Sequence, residues 1–334
     1  MDVAELEALV AELGEPRYRA RQMMQWLYGH GAVDLDRMTN LPKAFRKKLA
    51  EKAFIGRMSI ADVQVSRDGT RKYLLRTLDG DAVEAVLIPE GDRRTACLSS
   101  QIGCGIGCAF CATALMGLTR NLTAGEICGQ LAAIQEDTGQ RVTNVVMMGM
   151  GEPLANYKNV MQALRLLNDP DGFGIGARRL TISTAGLVPG IRRLAEEDLQ
   201  VVLAISLHAA TDEKRDQLVP INRHYPIAQL LDACREYVQR TRRRVTFEYV
   251  LLRGVNDGTD DARILAGKLR GLLCHVNLIP FNPVPETGFA PPDAAAVERF
   301  RQELAGRGIQ ATVRRPRGVD IDAACGQLRR KSMR

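Results

Sequence analysis

Residues 142–167 read VTNVVMMGMGEPLANYKNVMQALRLL. The apolar run at 142–148 predicts a buried strand, and the glycine-rich turn after it leads into a segment, 157–167, with apolar residues at helical spacing. The stretch therefore predicts a strand, a turn and a helix, with the polar turn residues at the carboxyl end of the strand.

The same unit repeats along the chain beyond Thr95. Further strands are predicted at 180–183, 201–206, 245–251, 275–280 and 310–313, and further helices at 123–137, 187–196, 226–240, 259–271 and 293–306. Repeated β/α alternation predicts a parallel sheet with helical crossovers. The fold class is therefore α/β, and a whole or partial (β/α) barrel would gather its site residues at the carboxyl ends of the strands.

The chain before Thr95 follows a different pattern. Short helices are predicted at 3–13, 18–28 and 43–52. From Ser59 the apolar residues alternate, and the pairs Asp68-Gly69 and Asp79-Gly80 separate three predicted strands. We therefore divide the chain into a helical accessory domain (1–58), a β-meander linker (59–93) and a partial barrel with a C-terminal cysteine loop (94–334). The last helix of the accessory domain is basic, which favours RNA as its partner.

Length and composition limit the class of protein. A chain of 334 residues with 46% hydrophobic content can bury one sizeable core and a smaller module. It contains neither a signal-like N-terminus nor a run of about 18 uncharged apolar residues, which predicts a cytoplasmic protein without a membrane span. In that compartment eight cysteines are unlike a disulfide framework, so a cysteine cluster needs a chemical explanation.

The net charge of +7 favours a polyanionic partner, RNA or DNA. Any single basic run can equally be an ordinary solvated face of the protein. The basic runs lie at 43–48, 240–244, 314–317 and 329–334.

Three cysteines stand in one glycine-rich loop, which reads Cys-Gly-Ile-Gly-Cys-Ala-Phe-Cys from Cys104 through Cys108 to Cys111. Thiolates at this spacing suit a soft metal centre. Zinc competes, but a structural zinc site needs four ligands with a paired second half, and none follows here. Three ligands on a 4Fe-4S cube leave one iron open, so the pattern favours one 4Fe-4S cluster.

The loop, with an aromatic residue before its last cysteine, resembles the signature of radical S-adenosylmethionine (SAM) enzymes. In that family the amino and carboxylate groups of SAM bind the fourth iron, and one electron cleaves SAM to a 5'-deoxyadenosyl radical. The resemblance implies a partial (β/α) barrel of the radical SAM type, SAM as cofactor, and a reductant such as flavodoxin or ferredoxin.

Longer stretches narrow the family further. They read VEAVLIP at 83–89, CLSSQIGC at 97–104, MGMGEPL at 148–154, SLH at 206–208 and DIDAACGQL at 320–328. Together they resemble the dual-specificity RNA methyltransferases that methylate carbon 2 of an adenine in 23S rRNA and in certain tRNAs. The resemblance implies a monomer acting on these RNAs. A relative that methylates carbon 8 shares the cysteines, but GEPL at 151–154 and LIPFNP at 278–283 favour the carbon-2 branch.

The resemblance also implies a cycle that uses two SAM molecules per turnover. Cys325 takes a methyl group from the first SAM, and the second SAM provides the radical that activates that methyl group. Cys97 then attacks Cys325 at release and forms a transient disulfide, while Glu84 accepts the proton of carbon 2. Alternatively, both cysteines are small buried hydrophobes, as we interpret Cys128, Cys234 and Cys274. Against this, the Gly- and Asp-rich surroundings of Cys325 are typical of a mobile loop.

Contacts to SAM are implied for residues that follow predicted strands. Taken alone, the Gly-Glu-Pro stretch can be a simple turn, and His208 can be a structural histidine. The implied contacts are Gly151, Glu152, Ser183, Ser206, Leu207, His208 and Asn282.

Two other functions remain open at this point. One is a different radical SAM chemistry, such as sulfur insertion or enzyme activation, which would not need Cys325. The other is a non-catalytic RNA-binding protein with an iron-sulfur sensor.

Overall fold

The computed structural model describes residues 1–329, so the predicted basic run at 329–334 lies outside the described residues except for Arg329. The helices are α1 (Val3–Glu12), α2 (Tyr18–Met24), α3 (Lys43–Lys52), α4 (Ala124–Thr138), α5 (Tyr157–Asn168), α6 (Val188–Leu194), α7 (Asp212–Leu218), α8 (Ile227–Thr241), α9 (Thr259–Leu269) and α10 (Ala294–Gly306). The strands are β1 (Ser59–Val65), β2 (Arg71–Arg76), β3 (Ala82–Glu90), β4 (Arg93–Cys97), β5 (Gln101–Gly103), β6 (Leu118–Asn121), β7 (Asn144–Met147), β8 (Leu180–Thr184), β9 (Val202–Ser206), β10 (Val245–Leu251), β11 (Cys274–Pro280) and β12 (Ala311–Val313).

One large sheet organises the molecule, in the order β1-β2-β3-β4-β7-β8-β9-β10-β11-β12. Strands β1 to β4 pair antiparallel, and the pairs from β4–β7 to β11–β12 are parallel. The parallel strands are connected by helices, which is the β/α pattern predicted from the sequence. Side chains from β4 and β12, at opposite ends of this parallel part, line one cavity, so the sheet curls into a partial barrel.

The strands of the barrel present two kinds of residue because alternate side chains point to opposite faces. The outward apolar residues pack under the helices, and Ile205, Phe247 and Leu278 among them are fully buried. Inward positions carry small or polar residues such as Ala204 and Thr246. The inward face is therefore open enough to hold a ligand.

The helical N-terminal segment packs against the barrel helices rather than standing apart. Arg57 of this segment pairs with Glu136 of α4 at 2.7 Å, and Arg21 pairs with Asp171 after α5 at 2.7 Å. Its own core includes Phe45, which is fully buried. Charge pairs and apolar contacts thus fix the segment on the outside of the barrel.

Two local predictions differ from the structure. The helix predicted at 18–28 ends at Met24 and continues as a wider π turn, Gln25–Gly29. Helix α7 was not predicted because its sequence, DEKRDQL, is short and strongly polar. In the part of the chain that the structure describes, no helix combines the length and apolar character needed to cross a membrane.

Candidate active site

The cysteine loop is closed by the small hairpin of β5 and β6. Gly103 has a φ of +77°, and an added Cβ would lie 1.9 Å from the carbonyl oxygen of Gly117, so only glycine fits there. The next amide, at Cys104, donates to the same carbonyl oxygen at 2.8 Å. The hairpin therefore fixes the backbone position of Cys104, the first cysteine of the loop.

All three loop cysteines line one cavity of about 160 Å³, which we name the cluster cavity. The turns after β7, β8 and β9 form its other walls, because parallel strands bring their carboxyl ends to one edge of the sheet. The residues lining it that the sequence predicted are Cys104, Cys108, Cys111, Gly151, Glu152, Ser183, Ser206, His208 and Cys325.

The donor set of the loop fits an iron-sulfur cluster. Burial raises the pKa of Cys104 to about 11 and that of Cys108 well above its ordinary value, and the neighbouring Cys111 raises both further. All three thiols line the cluster cavity, and bound iron cations would supply the charge that favours their ionised form. The three thiolates are soft ligands and would hold a 4Fe-4S cluster with one iron left open for SAM.

Gly151 and Glu152 tie the turn after β7 to its neighbours. Gly151 has a φ of +100°, and an added Cβ would lie 2.6 Å from the Cβ of Gln101. The buried Glu152 carboxylate accepts from the amides of Leu154 at 2.9 Å and Ala185 at 2.7 Å, which offsets part of the rise in its pKa caused by burial. Glu152 thus orients two turns of the cavity while lining it.

Ser183 and Ser206 stand side by side at the ends of β8 and β9, with their hydroxyl oxygens 3.4 Å apart. His208 follows, is buried, and accepts from the amide of Val250 through Nδ1 at 3.0 Å. Burial, and then the charge of Arg215, lower the pKa of His208 to about 3. The imidazole is therefore neutral and offers the cavity a hydrogen-bond donor at Nε2.

Leu207 and Asn282 are placed differently from the other predicted SAM contacts. The side chain of Leu207 is buried in the apolar core and lines neither the cluster cavity nor the larger cavity inside the barrel. Asn282 lines that larger cavity, where its Nδ2 donates to the carbonyl oxygen of Cys325 at 3.3 Å. Asn282 therefore supports the loop that carries Cys325.

The larger cavity in the barrel interior has a volume of about 520 Å³, and we name it the lumen cavity. Cys97, at the end of β4, and Cys325, in the loop after β12, both line it, and within residues 1–329 both thiols are free. Cys97 is 8% exposed, whereas Cys325 is exposed. The two cysteines lie far apart in sequence but meet here, and Cys325 reaches both cavities.

Glu84 on β3 is buried beside these cavities without lining either. Its Oε1 lies 3.9 Å from Nζ of the equally buried Lys72, and its Oε2 accepts from the backbone amide of Arg329 at 2.9 Å. The last described residues of the chain thus cover the predicted proton acceptor.

Two functional residues were missed from the sequence. Arg215 of α7 is fully buried and donates to the carbonyl oxygens of Leu207 at 3.0 Å and Ala185 at 2.6 Å. Asn256 donates through Nδ2 to the carbonyl oxygen of His208 at 2.7 Å. Both hold the strand-end turns in place, and a strongly polar segment gave no signal that Arg215 would be internal.

Comparisons with known proteins agree with this geometry. Residues 1–55 match the family described as the ribosomal RNA large subunit methyltransferase N-terminal domain, and residues 98–264 match the radical SAM superfamily. The dual-specificity RNA methyltransferase RlmN of Anaeromyxobacter dehalogenans is 52% identical over 97% of this chain and 89% of its own. A probable dual-specificity RNA methyltransferase RlmN of Symbiobacterium thermophilum is 51% identical over 100% of this chain and 91% of its own. The crystal structure of a radical SAM methyltransferase from Sphaerobacter thermophilus, 54% identical, superposes with a TM-score of 0.94 over 98% of both chains.

Proposed function

Because the chain belongs to the RlmN family of dual-specificity RNA methyltransferases, we propose that it transfers a methyl group to carbon 2 of an adenine in 23S rRNA and in tRNA. The predicted family, the radical SAM fold and the predicted cofactors, a 4Fe-4S cluster and SAM, are confirmed. The roles of individual residues are our proposal.

One observation carries these roles: the exposed thiol of Cys325 stands in the same cavity as the three cluster cysteines and the strand-end turns. SAM bound in that cavity would present its methyl group beside a nucleophilic sulfur, which favours transfer by proximity. A second cysteine, Cys97, lies beside Cys325 on the side of the lumen cavity. This arrangement suits a methyl carrier with a neighbouring thiol for release.

The SAM contacts divide into direct and indirect ones. The hydroxyl groups of Ser183 and Ser206 and the Nε2 of His208 face the cavity and would bind the polar groups of SAM. Gly151 and Glu152 form its floor, while Leu207 and Asn282 act by holding neighbouring backbone.

The proposed cycle assigns one step to each reactive side chain. The thiolate of Cys325 attacks the methyl carbon of SAM, and S-adenosylhomocysteine leaves. The cluster with a second SAM would supply the radical that abstracts hydrogen from the S-methyl group of Cys325. The carbon radical held by Cys325 bonds to carbon 2 of the adenine, and Glu84 accepts the proton lost there. The oxidised cluster would take back the one surplus electron of the adduct. Cys97 then attacks the sulfur of Cys325, and the electron pair of the broken carbon-sulfur bond takes a proton to complete the methyl group.

Glu84 can accept the proton of carbon 2 only after the backbone at Arg329 has moved away from its carboxylate. Its Oε2 is occupied by the amide of Arg329, so the C-terminal segment must withdraw before the adenine can reach the carboxylate. We infer that RNA binding displaces this segment.

One partner protein and one oligomeric state complete the proposal. The cluster needs a one-electron reductant such as flavodoxin or ferredoxin. The chain acts as a monomer, since one copy supplies all of the proposed residues of the site.

The test is anaerobic reconstitution with methyl-deuterated SAM and a dithionite-reduced cluster, followed by mass spectrometry of the digested RNA. We expect 2-methyladenosine with two deuterium atoms in the new methyl group, because one is removed by the radical and one hydrogen comes from solvent. Product with three deuterium atoms would contradict a carrier from which hydrogen is abstracted, and 8-methyladenosine would contradict the carbon-2 assignment.

Cysteine variants identify the carrier. Cys325→Ala should abolish RNA methylation, whereas Cys274→Ala, which removes a thiol that lines neither cavity, should retain it. Cys97→Ala should accumulate a covalent protein-RNA adduct, detected as a shifted band on a denaturing gel. An active Cys325→Ala variant would support a different radical SAM chemistry. A protein that does not cleave SAM in the presence of RNA would support the non-catalytic sensor.

A further inference from the structure

Arg314 belongs to the basic run at 314–317, which the sequence associates with a polyanion, yet its side chain turns inward. Its amide donates to the carbonyl oxygen of Leu278 at 2.8 Å, which extends the pairing of β12 with β11 by one residue. The side chain lines both the cluster cavity and the lumen cavity. Arg314 therefore lines the site with a side chain that is 32% exposed, and its neighbour Arg315 is exposed to a greater extent.

The charge of Arg314 acts on both reactive thiols. Burial raises the pKa of Cys97 to about 12 and the charge of Cys325 raises it further, whereas Arg314 lowers it. The charge of Cys325 in turn is the largest of the effects that raise the pKa of Arg314. Arg314 thus shares both cavities with Cys325, the proposed methyl carrier, and shares the lumen cavity with Cys97, the thiol proposed to release the product.

Glu248 fixes the position of this guanidinium. It is 4% exposed on β10, and its Oε2 has no hydrogen-bond partner among the described residues but lies 3.8 Å from Nη1 of Arg314. Its Oε1 accepts from Nδ2 of Asn277 at 2.9 Å, and Oδ1 of Asn277 accepts from the hydroxyl of Thr312 at 2.9 Å. Three adjacent strands therefore contribute to a polar chain that ends on Arg314.

The other charged groups around the two thiols have a weaker electrostatic effect on their ionisation than Arg314 has. Arg317 is paired with Glu90 at 3.4 Å at the rim of the lumen cavity, and His208 is neutral. The titratable and charged side chains lining the two cavities, apart from Arg314, are Glu90, Arg93, Cys104, Cys108, Cys111, Glu152, His208, Glu248, Arg315 and Arg317. Arg93 and Arg315 are exposed, so water screens their charges.

We propose that Arg314 stabilises the thiolate of Cys325 for its attack on SAM, and that Glu248 is the positioning residue that holds Arg314 there. In this step the sulfur of Cys325 bonds to the methyl carbon, the bond from that carbon to the sulfonium breaks, and S-adenosylhomocysteine leaves as a neutral thioether. An ordinary cysteine is only a few percent ionised at neutral pH, so a fixed cation raises the reactive fraction.

The same cation serves the release step. Once Cys325 is bonded to carbon its sulfur carries no charge, and Arg314 then favours ionisation of Cys97. Because two adjacent thiolates disfavour each other, the cation stabilises one thiolate at a time, first that of Cys325 and then that of Cys97. This inference rests on the proposed function, in which Cys325 carries the methyl group.

The experiment measures the rate of alkylation of Cys325 by iodoacetamide between pH 6 and 10. The full-length, cluster-reconstituted protein is used without SAM, and peptide mass spectrometry separates Cys325 from the other cysteines. Arg314→Gln should move the midpoint of the profile up by about one pH unit and slow alkylation at pH 7 on the order of tenfold. Arg315→Gln, which changes the adjacent exposed residue, should leave the midpoint unchanged.

Two further variants separate charge from folding and from position. Arg314→Lys keeps the charge and should restore part of the shift. Glu248→Gln should also raise the midpoint, although it removes a negative charge, because the guanidinium loses its anchor. An unchanged midpoint in both Arg314 variants overturns the role of Arg314, and a lowered midpoint in Glu248→Gln overturns the positioning role. Neither result depends on RNA methylation, so failure of the proposed function is detected separately by the deuterium experiment.

Discussion

His208 combines a left-handed backbone, with a φ of 58°, and a buried side chain. A non-glycine residue in this region is held there only by its surroundings, and such residues concentrate at functional sites. Here the carbonyl oxygen of His208 accepts from Asn256 and its Nδ1 accepts from Val250. The strained backbone turns the imidazole of a strand-end residue into the cavity.

The buried imidazole predicts a pH-dependent stability. Its pKa falls from 6.5 to about 3 in the folded protein, so between these values the unfolded chain binds a proton that the folded chain does not. The free energy of unfolding therefore falls as the pH falls through this range, by at most about 1.4 kcal/mol per pH unit from this residue. Urea unfolding between pH 4 and 6 should show a shallower dependence for His208→Gln than for the wild type. The exposed His224→Gln is the control, and equal slopes in all three proteins would refute the prediction.

Gly151 provides a test of crowding at the site. Gly151→Ala adds a methyl group at 2.6 Å from Gln101, whereas Gly80→Ala, at a similar φ of +88°, meets no described atom within 4 Å. Both substitutions strain the backbone, by about 1–2 kcal/mol, but only the first also overpacks, which costs about 1–3 kcal/mol more. Chemical denaturation should show this difference, together with weaker SAM binding only in Gly151→Ala. Equal losses in both variants would mean that the contact is relieved by small shifts.

Some residues of the site could be predicted from the sequence, and others could not. Ser183 and Ser206 stand at the carboxyl ends of two neighbouring parallel strands, so periodicity alone places them together. Leu207 has the same position in the chain, but alternation turns its side chain into the core. Arg314 looks like a surface residue because its inward direction depends on the register of β12 with β11.

At the scale of elements, the loop that carries Cys325 depends on polar contacts to its neighbours. Thr113 Oγ1 donates to the carbonyl oxygen of Leu328 at 2.5 Å, and Gln327 Nε2 donates to the carbonyl oxygen of Pro283 at 2.9 Å. The buried apolar side chains of the loop are mostly those of alanines, which contribute little packing area. The order of the loop therefore depends on individual hydrogen bonds.

Loss of the Thr113 hydrogen bond should loosen this segment. A hydrogen bond of this kind contributes about 0.5–1.5 kcal/mol, so Thr113→Val should speed amide exchange between 319 and 329 about threefold to tenfold. Hydrogen-deuterium exchange with mass spectrometry measures this directly. Thr119→Val changes an exposed residue of β6 and should leave the exchange as it is. If both variants exchange like the wild type, the loop is held by other contacts.

The predicted elements agree with the structure wherever the pattern was strong. Helices α5 and α8 lie within a residue or two of their predicted ranges because their apolar stripes face the sheet. The π turn at Gln25–Gly29 could not be anticipated, since it depends on tertiary contacts such as that of Trp26 Nε1 with Asn40 at 2.6 Å. Strong amphipathic patterns predict elements, and irregular turns follow from packing.

At the scale of the whole molecule, exposed arginines lie at two opposite ends of the barrel. Arg242 and Arg244 precede β10 at the amino end of the parallel strands, opposite to the site. Arg93 and Arg315 are exposed at the rim of the lumen cavity. The run at 314–317 thus contributes to the mouth of the site through Arg315.

The positions of these arginines predict which of them bind RNA. Replacing Arg93 and Arg315 with alanine should weaken tRNA binding and reduce the slope of log Kd against log salt by roughly 0.7–0.9 for each phosphate that the protein no longer neutralises. Replacing Arg242 and Arg244 with alanine removes the same charge and should change neither value. A salt titration by fluorescence anisotropy compares the two double variants. If both pairs weaken binding equally, net charge rather than position governs RNA affinity.

Sequence patterns alone could not predict that Cys97 and Cys325 line the same cavity. This requires the sheet to curl until β4 and the loop after β12 share one cavity, and periodicity contains no information on that curvature. The family resemblance implied their meeting because related chains close in the same way.

One backbone bond, from the amide of Ala112 to the carbonyl oxygen of Gly326 at 2.8 Å, joins the loop of the cluster cysteines to the loop of the methyl carrier. The two loops come from distant parts of the chain and are connected directly by this hydrogen bond. A ligand that restrains the loop of the cluster cysteines would therefore also restrain the loop of Cys325, although the two loops are more than 200 residues apart in the chain.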